Sequence, residues 1–404
     1  MMKALFHEKG SSLRIDILTE EPAQDFISAH AGILDSAFES VPMSEGMRRR
    51  LQQSDYIFSG IKTFHELNEA FPSLLNTDGT RKPFEKFLKD VQKIDSTYNR
   101  NYLRAEYNFC QASGTMAAKW ERYAEDGDRY NLQYRTAGDD RVRPEHAELD
   151  RVTLPMSDPF WRTYYPPNGW NCRCTVVQVR KSKYPETPHD EAMQRGASAT
   201  GKDTKGIFQF NPGIHQKAIP DYNPYTIRRC RDCDIAKGRV PDGSAVGNKL
   251  VFVPENELCA ACKLLRECAA DRTKSQTAIE RKHYLHEMEP LLRVKHEKHI
   301  GEDTIKVGFS KYGNKHLFSD TFGRSSVLRK EDLKNLGEVL QSSQYIDHSE
   351  LMHERRDNIT HFYYYKAELR GKTVRLNVAK EVRIRKNGKP QINYYLYSIN
   401  DINE

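Results

Sequence analysis

Long apolar runs are missing from this chain of 404 residues. No stretch approaches the ~20 residues that cross a bilayer, and the opening MMKALFHEKG lacks the apolar core of a secretory signal. No membrane segment is expected, nor secretion by that route. Tryptophan is scarce, with 3 in the whole chain, so its placement is informative. No Arg, Ser-x-Ser and Glu set of the kind that ADP-ribosyl transfer needs can be recognised.

What is present bounds the class. At ~150 residues per domain the length suggests two or three domains. Hydrophobic residues at 38% and charged ones at 29% suit a polar-surfaced globular protein. The net charge is +7, and Lys366 to Lys389 alone carries nine Lys or Arg against Glu368 and Glu381, an excess of seven. A basic patch at one end points to a polyanion for that end only; a solvated sheet face is the plainer alternative. Eight cysteines include six in Cys-x-Cys or Cys-x-x-Cys units, which without a signal peptide favours metal over disulfides.

Two tryptophans, Trp161 and Trp170, fall within Tyr134 to Cys174, beside Asp139-Asp140-Arg141, Arg143-Pro144-Glu145-His146, Pro166-Pro167 and Cys172-x-Cys174. Buried-type residues among fixed-φ prolines make this an irregular, packed core segment. His146, Cys172 and Cys174 offer an imidazole and two thiolates, enough for Zn²⁺ if a fourth ligand such as Asp140 joins. Otherwise they form a structural staple. Asp139, Asp140 and Glu145 stand beside no nucleophile or cofactor motif, so no reaction is assigned to them.

The Asp139–His146 run, Asp158-Pro159-Phe160-Trp161 and Tyr165-Pro166-Pro167-Asn168-Gly169-Trp170-Asn171-Cys172-Arg173-Cys174 resemble the signature of the phage Mu F-like minor head proteins. With Ser59-Gly60-Ile61-Lys62-Thr63-Phe64-His65-Glu66-Leu67 and the region to Trp120, the resemblance spans roughly residues 20–180. It implies a virion protein that joins the prohead at the portal vertex with portal and capsid or scaffold partners. Such a protein is made in the host bacterial cytoplasm and ends at the portal or in the capsid interior.

Around this segment, Leu13, Ile15 and Ile17 suggest an edge strand. Helical spacing from Gln24 to Phe58 breaks at Pro42, and Phe84 to Glu125 reads as two long helices with Gly114 as a kink or close contact. The Pro, Gly, Ser and charge of 181–225 read as a linker or arm. Cys230-x-x-Cys233, 25 residues ahead of Cys259-x-x-Cys262, predicts two knuckles closing a structural four-cysteine zinc site, with Lys249–Val253 as a strand between them in a zinc-ribbon-like module over 226–275. Thr277 to His299 reads as a helix whose histidines face solvent.

The unit over 283–404 alternates in a strand period. Strands are expected at 305–309, 362–369, 373–379, 381–385 and 391–399, a helix at 328–340, and a two-residue turn at Asn387-Gly388. Val374, Leu376, Val378, Val382 and Ile384 point to a core, and Arg375, Arg383 and Arg385 point away from it. The fold class is α+β: a mainly helical first domain over 1–180, the zinc-ribbon-like module, and a small antiparallel sheet with helices.

This last unit resembles the domains grouped with barnase, EndoU, colicin and RelE-type nucleases, through Val307-Gly308-Phe309-Ser310, Lys315-His316-Leu317-Phe318-Ser319-Asp320, Phe362-Tyr363-Tyr364-Tyr365-Lys366 and Tyr395-Leu396-Tyr397-Ser398-Ile399. The resemblance implies a metal-independent ribonuclease, with His316 as acid or base beside Lys315, Arg375 and Arg385 on the phosphorane, and Ser398 orienting the phosphate. Lys366 and Arg383 would hold nucleic acid and Tyr395 would stack a base. Packaged in the head, such a domain would act on host RNA. The alternatives are a structural virion protein whose last domain binds nucleic acid without cleaving it, and a prophage-encoded antibacterial toxin.

Overall fold

The computed structural model describes residues 1–7, 13–231, 233, 255–318, 327–350, 358–385 and 387–402. The chain divides into two compact units, one of Met1–Pro42 with Met47–Arg272 and one of Met43–Gly46 with Thr273–Glu404.

The first unit is built on helices: α1 (Met2–His7), α2 (Glu21–Ser36), α3 (Glu45–Ala70), α4 (Phe84–Ser96) and α5 (Leu103–Asp126). In α2, Ala23, Ile27, Ala31 and Leu34 recur at three- and four-residue steps and are buried. Every residue of α3 from Ser54 to Phe64 is buried, which makes α3 the central helix. The edge strand expected near Leu13 is absent; Ile15–Thr19 form a short 3-10 turn. Two helices replace the single apolar run as expected, joined by a wide turn at Thr97–Asn101. Gly114 is a close contact, since a Cβ there would lie 2.5 Å from Phe38 Cβ.

The chain then forms a small antiparallel sheet in the order β2-β1-β3, from β1 (Asn131–Arg135), β2 (Thr153–Pro155) and β3 (Thr175–Val179). Its loops carry two short helices, α6 (Pro144–Ala147) and α7 (Phe160–Tyr164). Tyr134, Leu149, Phe160, Trp161 and Tyr165 share one core with Met116 and Tyr123 of α5.

The linker expected at 181–225 is instead part of this unit. It forms α8 (His189–Ala199) and α9 (Pro212–His215), and Ala192 and Ala199 enter the same core. Asn211 caps α9 through Gly213 and Ile214 and donates to the Trp161 carbonyl at 2.9 Å. The missing side chain of Gly213 makes room for Trp120. Turn-forming composition set the linker expectation, whereas well-separated anchors such as Phe210, Tyr222 and Tyr225 bury the segment without any periodicity.

A 33-residue helix, α10 (Glu255–Glu287), follows. Leu265 fills the space beside Gly60 of α3. Cys259 and Cys262 lie on its first turns rather than in a knuckle, and the strand expected at Lys249–Val253 lies outside the described residues. Helix ends earlier than expected, because Lys295–Ile300, carrying His296 and His299, is a strand.

The second unit holds β4 (Lys295–Ile300), β5 (Asp303–Gly308), α11 (Lys311–His316), α12 (Leu336–Ser342), β6 (Gln344–Glu350), β7 (Ile359–Leu369), β8 (Lys372–Ile384) and β9 (Pro390–Asp401). The sheet order is β4-β5-β9-β8-β7-β6. All pairs are antiparallel except β5 with β9, which run parallel. Two expected strands, 373–379 and 381–385, are one continuous β8. Gly388, at φ +76°, supplies the left-handed residue of the β8–β9 turn. Val374, Leu376 and Val378 enter the main core with Tyr363, Tyr365, Leu396 and Ile399, as the alternation predicts. Val382 and Ile384 do not: Ile384 is 69% exposed, because the hairpin end outruns the layer that covers its apolar side.

The core of the first unit makes two predictions. Gly114→Val should destabilise by about 1–3 kcal/mol, read as a lower midpoint of the first unit's denaturant transition. The second concerns Asp35 and Asp55. Burial raises Asp35 to about 7 and, with Asp35 beside it, holds Asp55 well above the carboxylate range. The folded pair binds its proton more tightly than the unfolded chain. Its stabilising effect is therefore full below the unfolded value near 3.8 and is lost as pH rises to about 7. Asp55→Asn should flatten that fall in melting temperature and raise the midpoint at pH 8.

Candidate functional site

The segment from Tyr134 to Cys174 is held by side chains because little of it is regular. Register between β1 and β3 sets Tyr134 against Val176 and Arg135 against Thr175, fixing both ends of the loop. Inside it, Arg143 Nη2 donates to the Trp170 carbonyl at 2.6 Å. Its guanidinium also lies against Gly169, where a Cβ would approach Nη1 to 3.1 Å. Tyr134 donates to Asn168 Oδ1 at 2.8 Å, and Trp161 Nε1 to the Pro155 carbonyl at 3.0 Å. Pro166-Pro167 is cis. Arg173 grips Asp139 through two bonds of 2.6 Å, a bidentate pair.

These contacts bring three chemically able groups together. His146, from the first turn of α6, lies with Nδ1 3.8 Å from both Cys172 Sγ and Cys174 Sγ. All three ligand atoms lie within 4.8 Å of one another, and all three residues are buried. Cys172 is pulled down to about 4, first by the Cys174 thiol that bonds to it, with burial opposing and His146 assisting; Cys174 is correspondingly pushed up. This group could hold a metal ion. Asp140, the fourth ligand suggested by the sequence, is exposed and does not join it.

The second cysteine set is looser. Burial pushes the Cys230 thiol up to about 12, and Cys262, Cys233 and Cys259 each push it further, which puts all four in electrostatic reach. Arg229 lies 2.7 Å from Cys259 Sγ, and Arg266 lies 3.4 Å from Cys262 Sγ. Among the described residues, His146, Cys172 and Cys174 are the group whose ligand atoms converge closely enough to share one ion.

In the second unit, one sheet face gathers part of the expected set. Lys366 pairs with Arg375, and Asn377 with Ser398. The Arg375 guanidinium lies 4.8 Å over the Tyr364 ring, and Asn377 Nδ2 donates to Ser398 Oγ at 2.7 Å. His316 stacks on Tyr397 at 4.3 Å, with Nε2 3.2 Å from its hydroxyl. Lys315 is exposed on the same short helix, while Ser319 and Asp320 lie outside the described residues. Arg383 and Arg385 share the parity of Arg375 but lie eight positions along β8 and just past its end, ten positions on, about 26 and 33 Å away at strand rise. Arg385 therefore does not share one phosphate with Arg375, and Arg383 is engaged by the buried Glu381 at 2.7 Å. Tyr395, expected to stack a base, is 2% exposed and packs with Ile359 and Ala379.

Sequence reading missed a buried polar network in the first unit. Lys62 Nζ lies 2.6 Å from Glu106 Oε2 and 3.0 Å from His30 Nε2; Ser59 lies 2.8 Å from His30 Nδ1, and Tyr225 donates to Glu106 at 3.2 Å. Burial pushes both Lys62 and His30 down from their usual values. Beside it opens a cavity of about 700 Å³ lined by Tyr98, Tyr102, Trp170 and Tyr225 with Glu69 and Glu106. The sequence signal was Glu106, set among Leu103, Phe109 and Cys110 at three- and four-residue steps.

Residues 78–177 match the family described as Phage Mu protein F like protein. Over 114 residues the chain is 33% identical to the putative capsid assembly protein F of Escherichia phage Mu, a match covering 28% of this chain and 24% of that protein. It is also 33% identical over 94 residues to the Mu-like prophage FluMu F protein of Haemophilus influenzae, covering 20% and 23% respectively. The chain thus spans about a quarter of the length of the curated relatives it matches. No solved structure matches it. The matched residues contain the whole Tyr134–Cys174 segment.

Arg143→Ala leaves the Trp170 carbonyl without its charged donor. It should cost about 1–3 kcal/mol and speed alkylation of Cys172 and Cys174, as read by peptide mass spectrometry after a short iodoacetamide pulse.

Proposed function

We propose that this chain, which carries a Mu F-like domain, acts in assembling a phage head and associates with the virion, meeting portal and capsid or scaffold proteins. The observation that carries the reading is the coincidence of the matched residues 78–177 with the most heavily stapled part of the first unit. The curated relative in phage Mu is described as a putative capsid assembly protein. Among the described residues no helix is long and apolar enough to cross a membrane. Cys230, Cys233, Cys259 and Cys262 would hold one structural zinc, four thiolates leaving no position for water.

For the second unit we propose nucleic-acid binding through Lys366 of β7, its β8 partner Arg375 and the cations towards the β8–β9 turn, spread along one sheet face as a backbone-tracking stripe requires. Placement of His316 against Tyr397, next in the chain to Ser398, favours a second reading, metal-independent RNA cleavage: His316 would move the proton and Arg375 would steady the phosphorane. Delivered with the genome, that activity would meet host RNA. Outside a head, it would make the chain a toxin.

A phage lacking this gene should give no infectious particles until the intact gene is supplied, and the protein should appear in the mass spectrum of purified heads. Normal yield without it would overturn the assembly reading. Purified full-length chain should bind labelled RNA with affinity that falls steeply as salt rises. Turnover lost in His316→Ala would select cleavage, and binding without turnover would select the structural reading.

A further inference from the structure

The three-residue group at His146 has a feature that neither an assembly role nor a packed core requires: an open side. In a tetrahedral zinc site, bond lengths near 2.0 Å to nitrogen and 2.3 Å to sulfur separate a nitrogen from a sulfur by about 3.5 Å. The observed 3.8 Å from His146 Nδ1 to each sulfur meets this with little movement. A cavity of about 330 Å³ opens directly onto the three ligands, lined also by Arg141, Arg143, Asn171 and Arg173. No nearby carboxylate among the described residues is placed to close the site. Asp139 is held by Arg173 at 2.6 Å, Glu145 by Lys202 at 3.0 Å, and Asp150 accepts from Thr136 at 2.9 Å.

Charge decides what would fill the opening. Two thiolates neutralise one divalent zinc, and a neutral imidazole adds nothing. The wall then carries the guanidiniums of Arg141, Arg143 and Arg173 against Asp139 and Asp140, three positive charges against two negative, which leaves the opening positive. Forked guanidinium donors match the paired oxygens of carboxylates and phosphates. We propose that His146, Cys172 and Cys174 bind one zinc ion whose fourth position faces this arginine-lined cavity and takes an oxyanion, carboxylate or phosphate. Three protein ligands and one exchangeable position distinguish it from the closed four-cysteine site.

The test uses the full chain with Cys230→Ser and Cys233→Ser, so that the other cysteines do not compete for metal. One zinc per chain is expected by elemental analysis, and it should be lost on adding Cys172→Ser with Cys174→Ser. In case that variant misfolds, His146→Gln should keep the circular dichroism spectrum and weaken zinc binding at least tenfold. Cobalt substituted for zinc should give tetrahedral visible bands that shift on titration with acetate or inorganic phosphate. Arg141→Gln should leave the metal content unchanged and weaken that response several-fold. Absence of zinc in the first background, zinc that survives loss of Cys172 and Cys174, or cobalt bands that ignore both anions would each overturn the proposal. Particle yield does not enter any of these readouts, so failure here is separable from failure of the assembly reading.

Discussion

The bond from Arg143 to the Trp170 carbonyl closes the loop on which the candidate metal group depends. Between β1 and β3 the chain makes little regular structure, so its carbonyls and amides need partners from side chains. Arg143 supplies one from the residue preceding α6, and the same short helix carries His146. A single turn thus fixes the end of the Pro166–Trp170 run and points the imidazole at the two cysteines that follow it. Guanidinium geometry matters because Gly169 leaves room for the planar group to lie against the backbone; a lysine would supply one donor and no plane.

Much of this was legible in the sequence, for a physical reason. Clustering of proline, tryptophan and Cys-x-Cys restricts both backbone and side chain, so the composition itself specifies a packed irregular segment. Helices α2 to α5 announced themselves by three- and four-residue spacing, and the faces of β8 by alternation, although the one strand was expected as two. The misses share one cause: sparse anchoring. Residues 181–225 carry too few apolar side chains to show a period, yet Phe210 and Tyr225 each land in the core, and Asn211 replaces a missing ladder with three hydrogen bonds. Periodicity detects elements that bury a face, and it is blind to segments that bury points.

In the second unit the face assignment followed from parity, but chemistry needs distance as well. Arg385 lies ten positions beyond Arg375 in the chain, past the end of β8, so shared parity on one face does not bring the two arginines to a common phosphate. The extra residue in β9, at the register shift between Asn377 and Val378, places Tyr397 on the ring of His316. Alternation alone did not reveal that bulge, because it inserts a residue without altering the composition.

The region of similarity and the folding unit are different objects. Residues 78–177 include α5 and its buried Glu106, but Glu106 is satisfied by Lys62, His30 and Tyr225, all outside the matched range. A buried carboxylate stripped of a charged partner costs about 3–5 kcal/mol, a large share of a domain's stability. The matched hundred residues therefore need α2, α3 and the segment at Tyr225 to stand. Because Glu106 also lines the aromatic cavity at Trp170, the network that completes the fold also reaches the back of the stapled segment. Selection on that segment would then constrain residues that sequence similarity alone does not mark.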